Sequence, residues 1–406
     1  MVTSQMSKGK IMEEFDRRKF LKATLSTAAA LSVPISFAQS KDKKKKPITR
    51  VLGKTGLRIP VISYGVMLAN NPALLRAAYD AGITHFDTAH SYQNGRNEEM
   101  IGEVLSKVPR KSYILATKIK PEEHDRTKGT IGPASTKEAF LNRLDISLKR
   151  LKTDYVDILY LHGISTQEEA YHPEMLAALE EAKKSGKTHF IGVSTHRNVE
   201  GVLEAVTEEG IHDVVLASIN FQNQNPKRLR EVTAAASKAG IGIIAMKTMA
   251  GGYYDKERTK PVNYKAALKW VLEDPAVTTC IAGLTAFEHL QENISVNYDI
   301  TLTDEERASL IPDTQSKGMA CDGCEQCIQS CRYHLSILPD AMRAYMYTYG
   351  YGATLKAREI VDEGKEEFQV CKSCDICSAH CVKNLPISER VKDVARLENV
   401  PIEFLA

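Results

Sequence analysis

Short apolar runs alternate with amphipathic segments along the chain from residue 48 onward. Eight runs of six or seven residues are mostly apolar, which is typical of parallel strands covered on both faces. Between them, apolar residues recur at helical spacing, as at Phe140, Leu144 and Leu148. This pattern predicts an α/β protein with a (β/α)8 barrel over residues 48–312, and a doubly wound open sheet is the alternative. The eight runs are ISYGVM (62–67), THFDTA (84–89), YILATK (113–118), VDILYLH (156–162), HFIGVS (189–194), VVLASIN (214–220), GIIAMK (242–247) and TTCIAG (278–283).

The alternating pattern stops after residue 312. Two groups of cysteines follow, separated by a stretch with helical periodicity. In that stretch Met342, Tyr345, Met346 and Tyr349 recur at i, i+3, i+4 and i+7, which predicts a helix face that packs against another part of the protein. We therefore expect a second, mostly helical module over residues 313–406.

The first 38 residues have the pattern of an export signal. A twin arginine, Arg17 and Arg18, precedes a sixteen-residue run that is rich in Ser, Thr and Ala and is too short for a membrane span. The stretch resembles a bacterial twin-arginine signal; a chance arginine pair before an amphipathic helix is the alternative. We expect cleavage after Ala38, a Lys-rich linker at 39–47, no membrane span in the mature chain, and a periplasmic location.

The overall charge of the chain adds little to the prediction of its function. The formal net charge is +3, with 26% charged and 43% hydrophobic residues. This near balance favours an ordinary globular protein and gives no electrostatic reason to expect nucleic acid as a partner.

Ionisable residues stand at the carboxyl ends of three successive predicted strands, where a barrel of this kind carries its site. They are Asp87 with Tyr92, then Lys118, then His162. A carbonyl that accepts hydride needs a proton donor at its oxygen, and the phenol of Tyr92 could act as one. A nearby Lys118 would stabilise the phenolate and lower its pKa, Asp87 would hold the lysine, and His162 would orient the carbonyl.

The segment AGITHFDTAHSYQNGRNEEMIGEVL around Asp87 and Tyr92 resembles the signature of the aldo/keto reductase family, and the likeness covers roughly residues 48–300. The resemblance implies a TIM barrel, a small carbonyl or alcohol substrate, and NADP or NAD as the hydride carrier. It also implies that Asp87, Tyr92, Lys118 and His162 are the catalytic tetrad.

Cofactor positions carried over from the family match only in part. Ser194, Glu292 and Asn293 agree with the family pattern, whereas Met246 followed by Lys247 stands where an aromatic residue usually stacks on nicotinamide. Gly283 replaces a basic residue that usually grips the adenosine 2′-phosphate. These six are the predicted cofactor-binding residues, and the departures leave open whether NADP or NAD is used.

Eight of the nine cysteines form two runs, each with the spacing C-x2-C-x2-C-x3-C, which matches the bacterial ferredoxin run for a [4Fe–4S] cluster. Zinc and disulfides are the alternatives, but zinc usually takes two separated C-x2-C pairs and such close cysteines form disulfides poorly. Arg332 and Val382 follow the runs where ferredoxins have proline. The predicted metal ligands are Cys321, Cys324, Cys327, Cys331, Cys371, Cys374, Cys377 and Cys381.

The long helical spacer between the two cysteine runs resembles the ferredoxin-like dicluster module that is appended to some aldo/keto reductases, and NLPI (384–387) fits that module. In two-cluster ferredoxins the fourth cysteine of each run binds the other cluster. We therefore expect Cys381 to join the first three cysteines of the first run, and Cys331 to join the first three of the second.

Together these patterns predict an exported, NAD(P)-dependent oxidoreductase with two [4Fe–4S] clusters that exchange electrons with a redox protein partner. The alternative is a non-catalytic electron-transfer or binding protein on a barrel that no longer uses a nicotinamide.

Overall fold

The computed structural model describes residues 46–311 and 318–405. The twin-arginine segment and all but the last two residues of the Lys-rich linker lie outside the described residues. From Lys46 onward the described chain forms one compact unit. Within it, every helix is too short or too polar to cross a membrane.

Eight parallel strands close into a barrel, as the apolar runs predict. Neighbouring strands follow chain order, and the last returns to pair with the first, so the open-sheet alternative is wrong. The barrel strands are β1 (Ile62–Gly65), β2 (His85–Asp87), β3 (Ile114–Ile119), β4 (Val156–Ile164), β5 (Thr188–Thr195), β6 (Val214–Ser218), β7 (Gly242–Met246) and β8 (Val277–Gly283).

Helices surround the barrel, and polar side chains fix where several of them begin. The Thr136 hydroxyl accepts the Ala139 amide, and Asn71, Asn225 and Asn263 cap three other helices in the same way, which satisfies amides that have no partner within the helix. The helices are α1 (Pro72–Asp80), α2 (Arg96–Leu105), α3 (Lys137–Leu151), α4 (Gln167–Ala170), α5 (Pro173–Lys184), α6 (Val199–Glu209), α7 (Pro226–Lys238), α8 (Tyr264–Leu272), α9 (Phe287–Val296) and α10 (Asp304–Ser309).

A short antiparallel hairpin, Thr49–Val51 with Arg58–Pro60, precedes β1. Leu52 and Ile59 from this segment are fully buried and pack in one apolar cluster with Ile158 of β4 and Ile244 of β7. Each such side chain stabilises the fold by about 1.5–3 kcal/mol. The barrel interior is therefore a packed core rather than a channel.

The module after residue 318 is helical and packs against loops of the barrel. Its apolar core includes Ala250, from the segment after β7, and contacts Met67 and Leu68 after β1. The predicted stripe is mostly buried: Met342 is 2% exposed and Met346 5%. Its helices are α11 (Gln326–Ser330), α12 (Leu338–Tyr345), α13 (Thr354–Glu363), α14 (Lys365–Lys372) and α15 (Ile387–Ala395), and a π-helical turn at Met346–Gly350 continues α12.

Candidate functional site

The centre of the barrel site is a buried ion pair. Asp87 is the last residue of β2 and Lys118 lies in β3, and both side chains are 1% exposed. The Lys118 ammonium donates to Asp87 Oδ1 and to the carbonyl oxygen of Thr88 at 2.5 Å. It also lies 3.5 Å from the hydroxyl of Tyr92. Two neighbouring strands thus bring together residues that are 31 positions apart.

Tyr92 reaches this pair from a tight turn after β2. The next two residues, Gln93 and Asn94, have left-handed backbone angles, φ 51° and 56°. The Gln93 amide group holds the turn by donating to the carbonyl oxygens of Met67 and Ala69, at 3.1 and 3.0 Å. His162, from β4, meets Tyr92 edge to face with the ring centroids 6.0 Å apart. The structure therefore gathers all four residues of the predicted tetrad.

Burial sets the protonation states of the tetrad. It raises the pKa of Tyr92 well above its usual value, and the charge of Asp87 adds to this. Burial also lowers the pKa of His162 well below its usual value, and Lys118 adds to that shift. At neutral pH the pair is therefore a protonated phenol beside a neutral imidazole.

The sequence reasoning expected Lys118 to lower the pKa of Tyr92. The structure instead shows a raised pKa for Tyr92, because desolvation of the phenol and the negative charge of Asp87 both oppose its ionisation. This arrangement keeps a proton on Tyr92 until charge develops on the oxygen that receives it.

A cavity of about 310 Å³ opens beside the tetrad. Asp87 and Tyr92 line one part of it, and the ends of β1, β7 and β8 with helix α9 line the rest. Four of the six predicted cofactor residues line this cavity: Met246, Lys247, Gly283 and Asn293.

The other two predicted cofactor residues do not line the cavity. Ser194 is 1% exposed, and its hydroxyl accepts the backbone amide of Gly163 at 2.9 Å. Glu292 lies on the exposed face of α9, next to the buried Asn293. Ser194 therefore has a structural hydrogen bond here.

Several cavity residues were missed by the sequence reasoning. His196, Arg258 and Tyr264 line the cavity from loops and helices after β5 and β7, and Gly350 and Tyr351 line it from the helical module. The tyrosines near residue 350 gave the available signal, but their spacing was interpreted as packing alone.

The cavity has features that fit a nicotinamide dinucleotide. A Cβ added at Gly283, which lines the cavity, would meet open space. His162 packs against the cavity-lining Tyr92, and its buried Nδ1 atom has no hydrogen-bond partner. Helix α9 begins at Phe287, and Ala286 before it provides no side-chain cap, so the first amides of the helix could bind a phosphate. Together these features suit a long ligand that is polar at both ends.

The eight clustered cysteines surround two cavities. The proximal cysteine cavity is lined by Cys321, Cys324, Cys327 and Cys381. The distal cysteine cavity is lined by Cys331, Cys371, Cys374 and Cys377. The fourth cysteine of each run thus lies with the other run, which is the crossed grouping that the two-cluster ferredoxin pattern predicts.

The thiol environment fits iron–sulfur clusters. Burial raises the pKa of Cys321 and of Cys327 to about 12, so their thiolates need cations from a bound group. Within the described ranges, no three His, Cys, Asp or Glu side chains are placed to hold one metal ion. The thiols surround a space rather than a point, as a four-iron cube requires.

The proximal cysteine cavity lies against the barrel. Gly323, between two of its cysteines, has φ +67°, and a Cβ there would lie 2.6 Å from the carbonyl oxygen of His196. The Asn198 amide donates to the Gly323 carbonyl oxygen at 3.0 Å. Arg197 lies between His196 and Asn198, and its guanidinium binds Glu325 at 2.7 Å and Asp340 at 3.4 Å. The loop after β5 therefore joins the cysteine run to the substrate side of the barrel.

Two family models match the chain. Residues 68–266 match the aldo/keto reductase family, and residues 320–386 match a 4Fe–4S dicluster domain. The first match contains all four tetrad residues and the cavity-lining Lys247, and the second contains all eight clustered cysteines.

Characterised relatives resemble the barrel. L-glyceraldehyde 3-phosphate reductase of Escherichia coli K12 is 27% identical over 64% of this chain and 90% of its own length. L-galactose dehydrogenase of Arabidopsis thaliana is 28% identical over 61% of this chain and 86% of its own length.

Solved structures show the same fold. An aldo-keto reductase from Bacillus halodurans, in its holo form, superposes with a TM-score of 0.53 at 24% identity, covering 65% of this chain and 95% of that one. A thermostable aldo-keto reductase in complex with the inhibitor epalrestat gives a TM-score of 0.51 at 23% identity. The chain is therefore an oxidoreductase whose residues 68–266 match the aldo/keto reductase family and whose residues 320–386 match a 4Fe–4S dicluster domain.

Proposed function

We propose that this chain is an exported, NAD(P)-dependent carbonyl reductase or alcohol dehydrogenase with two [4Fe–4S] clusters. The observation that carries the proposal is the buried Lys118–Asp87 pair beside Tyr92 and His162, at the edge of a cavity large enough for a ligand. A purely structural ion pair would not need a phenol at the wall of this cavity with an imidazole packed against it.

The tetrad residues have distinct tasks in this proposal. Tyr92 donates its proton to the carbonyl oxygen of the substrate, and neutral His162 donates a hydrogen bond that orients that oxygen. Lys118 stabilises the phenolate that remains, and Asp87 fixes the ammonium in place. In the oxidative direction the same groups take the proton from an alcohol.

The cavity residues would hold the cofactor. Met246, Lys247, Gly283 and Asn293 would contact a nicotinamide dinucleotide, which supplies or accepts the hydride when bound. Gly283 offers no charge to a 2′-phosphate, so this position gives NADP no advantage over NAD. The nucleotide is retained from before export, since the twin-arginine route carries folded proteins.

We further propose a small carbohydrate-like carbonyl or alcohol as the substrate. Two relatives are named for L-glyceraldehyde 3-phosphate and for L-galactose, both polyhydroxylated compounds. The polar groups of His196, Lys247 and Arg258 around the cavity fit hydroxyl-rich ligands.

The two cysteine cavities would each hold one [4Fe–4S] cluster, and these clusters supply one-electron exchange with a redox protein partner. The proximal cysteine cavity faces the barrel through Gly323, and each cavity includes one exposed cysteine, Cys324 in the proximal and Cys377 in the distal one.

The decisive experiment identifies the bound nucleotide. Protein recovered anaerobically from the periplasm is denatured, and released nucleotide is measured by mass spectrometry. We expect NAD(H) or NADP(H) in near-stoichiometric amounts, both in the native chain and in the Tyr92→Phe variant. No nucleotide, and no binding when either is added, would instead favour an electron-transfer protein on a barrel that has lost its cofactor.

A further inference from the structure

A second tyrosine approaches the barrel site from the iron–sulfur module. Tyr347 lies in the π-helical turn that continues α12, and it is only 3% exposed. Turns of this type are rare and often occur at functional sites. The turn displaces Tyr347 from the regular helical face, and its ring lies 6.2 Å from that of Tyr351, which itself lines the barrel cavity.

Lys247 of the barrel points at this tyrosine. It directly follows β7 and has a left-handed backbone, φ 58°, which is strained for a residue with a side chain. Its ammonium lies 4.6 Å from the ring centroid of Tyr347 and 5.3 Å from that of Tyr351. The family position of an aromatic stacking residue is thus used here to present a cation to a phenol from the other module.

Charged groups from several elements face Tyr347. Arg343 lies one turn earlier in α12, Lys356 comes from α13, and Arg126 comes from the loop after β3. The anions nearby are already paired: Asp340 with Arg343 at 2.6 Å, and Glu363 with Lys120 at 3.1 Å. The titratable groups that interact with the Tyr347 phenol include Lys247, Arg343, Lys356, Arg126, Tyr92 and Tyr351.

We propose that Tyr347 is a positioning residue of the barrel site: held by Lys247, it ionises before Tyr92 as the pH rises, and its phenolate then keeps the phenol of Tyr92 protonated. The iron–sulfur module then completes the reductase site as well as carrying clusters. This inference rests on the proposed function for its effect on catalysis, but the ionisation of Tyr347 can be tested without any turnover.

The electrostatics agree with this geometry. Burial opposes ionisation of Tyr347, but the charges of Lys247, Arg343 and Lys356 outweigh burial and lower its pKa to about 8. The pKa of Tyr92 is raised mainly by burial, then by the charge of Asp87, and then by the charge of Tyr347. Each phenol therefore favours the opposite state of the other.

The first test measures tyrosinate absorbance of the anaerobically purified holoprotein as the pH rises. The difference between the wild-type and Tyr347→Phe titrations should show one tyrosinate that forms with a midpoint of about pH 8. Tyr345→Phe is the matched control, because that ring packs on Tyr349 and Arg390 instead, and it should keep the early tyrosinate. Lys247→Met should move the midpoint toward the usual tyrosine value of about 10. If wild type and Tyr347→Phe gave the same tyrosinate absorbance below a pH of about 10, the proposal would be overturned.

The second test follows reduction of glyceraldehyde, as a probe aldehyde, by NADH or NADPH. In Tyr347→Phe the alkaline limb of the kcat/KM profile should move to lower pH by roughly one unit, since Tyr92 then loses its proton more easily. A purely structural role would lower activity at every pH and leave the limb in place, which would refute the positioning role. A wild-type protein without any turnover would count against the proposed function alone, and the absorbance titration would still decide the state of Tyr347.

Discussion

The tetrad of the barrel and the cysteines of the module are built in different ways. Asp87 and Lys118 lie in paired strands, are 1% exposed, and hydrogen-bond to each other. The cysteines lie mostly in loops and short helices, and Cys324 and Cys377 are exposed. The catalytic site is thus formed by the fold itself, whereas the cysteine sites depend on what they bind.

This difference predicts that stability is divided between the two regions. Metal binding free energy is folding free energy where the site does not exist in the unfolded chain. The barrel has its own apolar core of continuous strands and helices. The module has a smaller core, which includes the buried Cys327 and Cys331.

Removal of iron should have the largest effect. Anaerobic chelation under mild denaturant should abolish the visible absorbance and open residues 318–405 to proteolysis, while the barrel keeps its helical signal and its nucleotide. The measurement is limited trypsin digestion followed by mass spectrometry of the resistant fragment. Simultaneous digestion of both regions would show that the barrel also depends on the clusters. It would contradict a division of stability between the two regions.

Replacing the catalytic phenol should give the converse result. Tyr92→Phe should lower kcat/KM for carbonyl reduction by about 10²–10⁴-fold, the usual contribution of a proton donor. Visible absorbance and iron content should not change. Tyr171→Phe is the control, since that hydroxyl donates only to the Ala205 carbonyl oxygen at 2.9 Å. Residual activity near the wild-type level would remove Tyr92 from the mechanism.

The contact between the two regions should have an intermediate effect. Arg197 binds Glu325 and Asp340, and donates to the Arg126 carbonyl oxygen at 2.7 Å, with 7% of its side chain exposed. Lysine cannot keep this forked geometry. Arg197→Lys should therefore reduce the free energy of unfolding by about 1.5–3 kcal/mol.

Urea unfolding followed by far-UV dichroism and by visible absorbance measures this change. We expect the absorbance to be lost at lower urea than the helical signal, because the proximal cysteine cavity loosens first. Arg228→Lys is the control, since its pair with Glu204 is about half exposed on both sides and is expected to contribute little. Equal effects of the two substitutions would mean that Arg197 does not join the regions.

The sequence predicted these two regions unequally. The eight strands and the tetrad were predictable because apolar runs and strand ends repeat at regular intervals, and β2 and β3 then place Asp87 beside Lys118. The cysteine ligands were predictable from spacing alone, and their crossed grouping from the ferredoxin pattern. Both signals are local along the chain.

Contacts between the regions could not be predicted in this way. Tyr347 and Lys247 are 100 residues apart, and nothing in the periodicity of either segment links them. The tyrosine stripe reads as packing because Tyr345 does pack, while the π-helical turn redirects Tyr347. Ser194 likewise matched the family in sequence, yet its hydroxyl is committed to the Gly163 amide.

The smallest effect is expected at the outer edge of the module. Ile376 lies between Cys374 and Cys377 and is 75% exposed, so little apolar surface is lost when it changes. Ile376→Ser should alter the free energy of unfolding by no more than about 0.5 kcal/mol. Met342 lines the proximal cysteine cavity and is 2% exposed, so Met342→Ala should cost about 2–5 kcal/mol. Urea unfolding of the two holoproteins gives both values. A large loss of unfolding free energy from Ile376→Ser would mean that this exposed side chain makes a stabilising contact within the fold. The distal cysteines would then be held by packing after all.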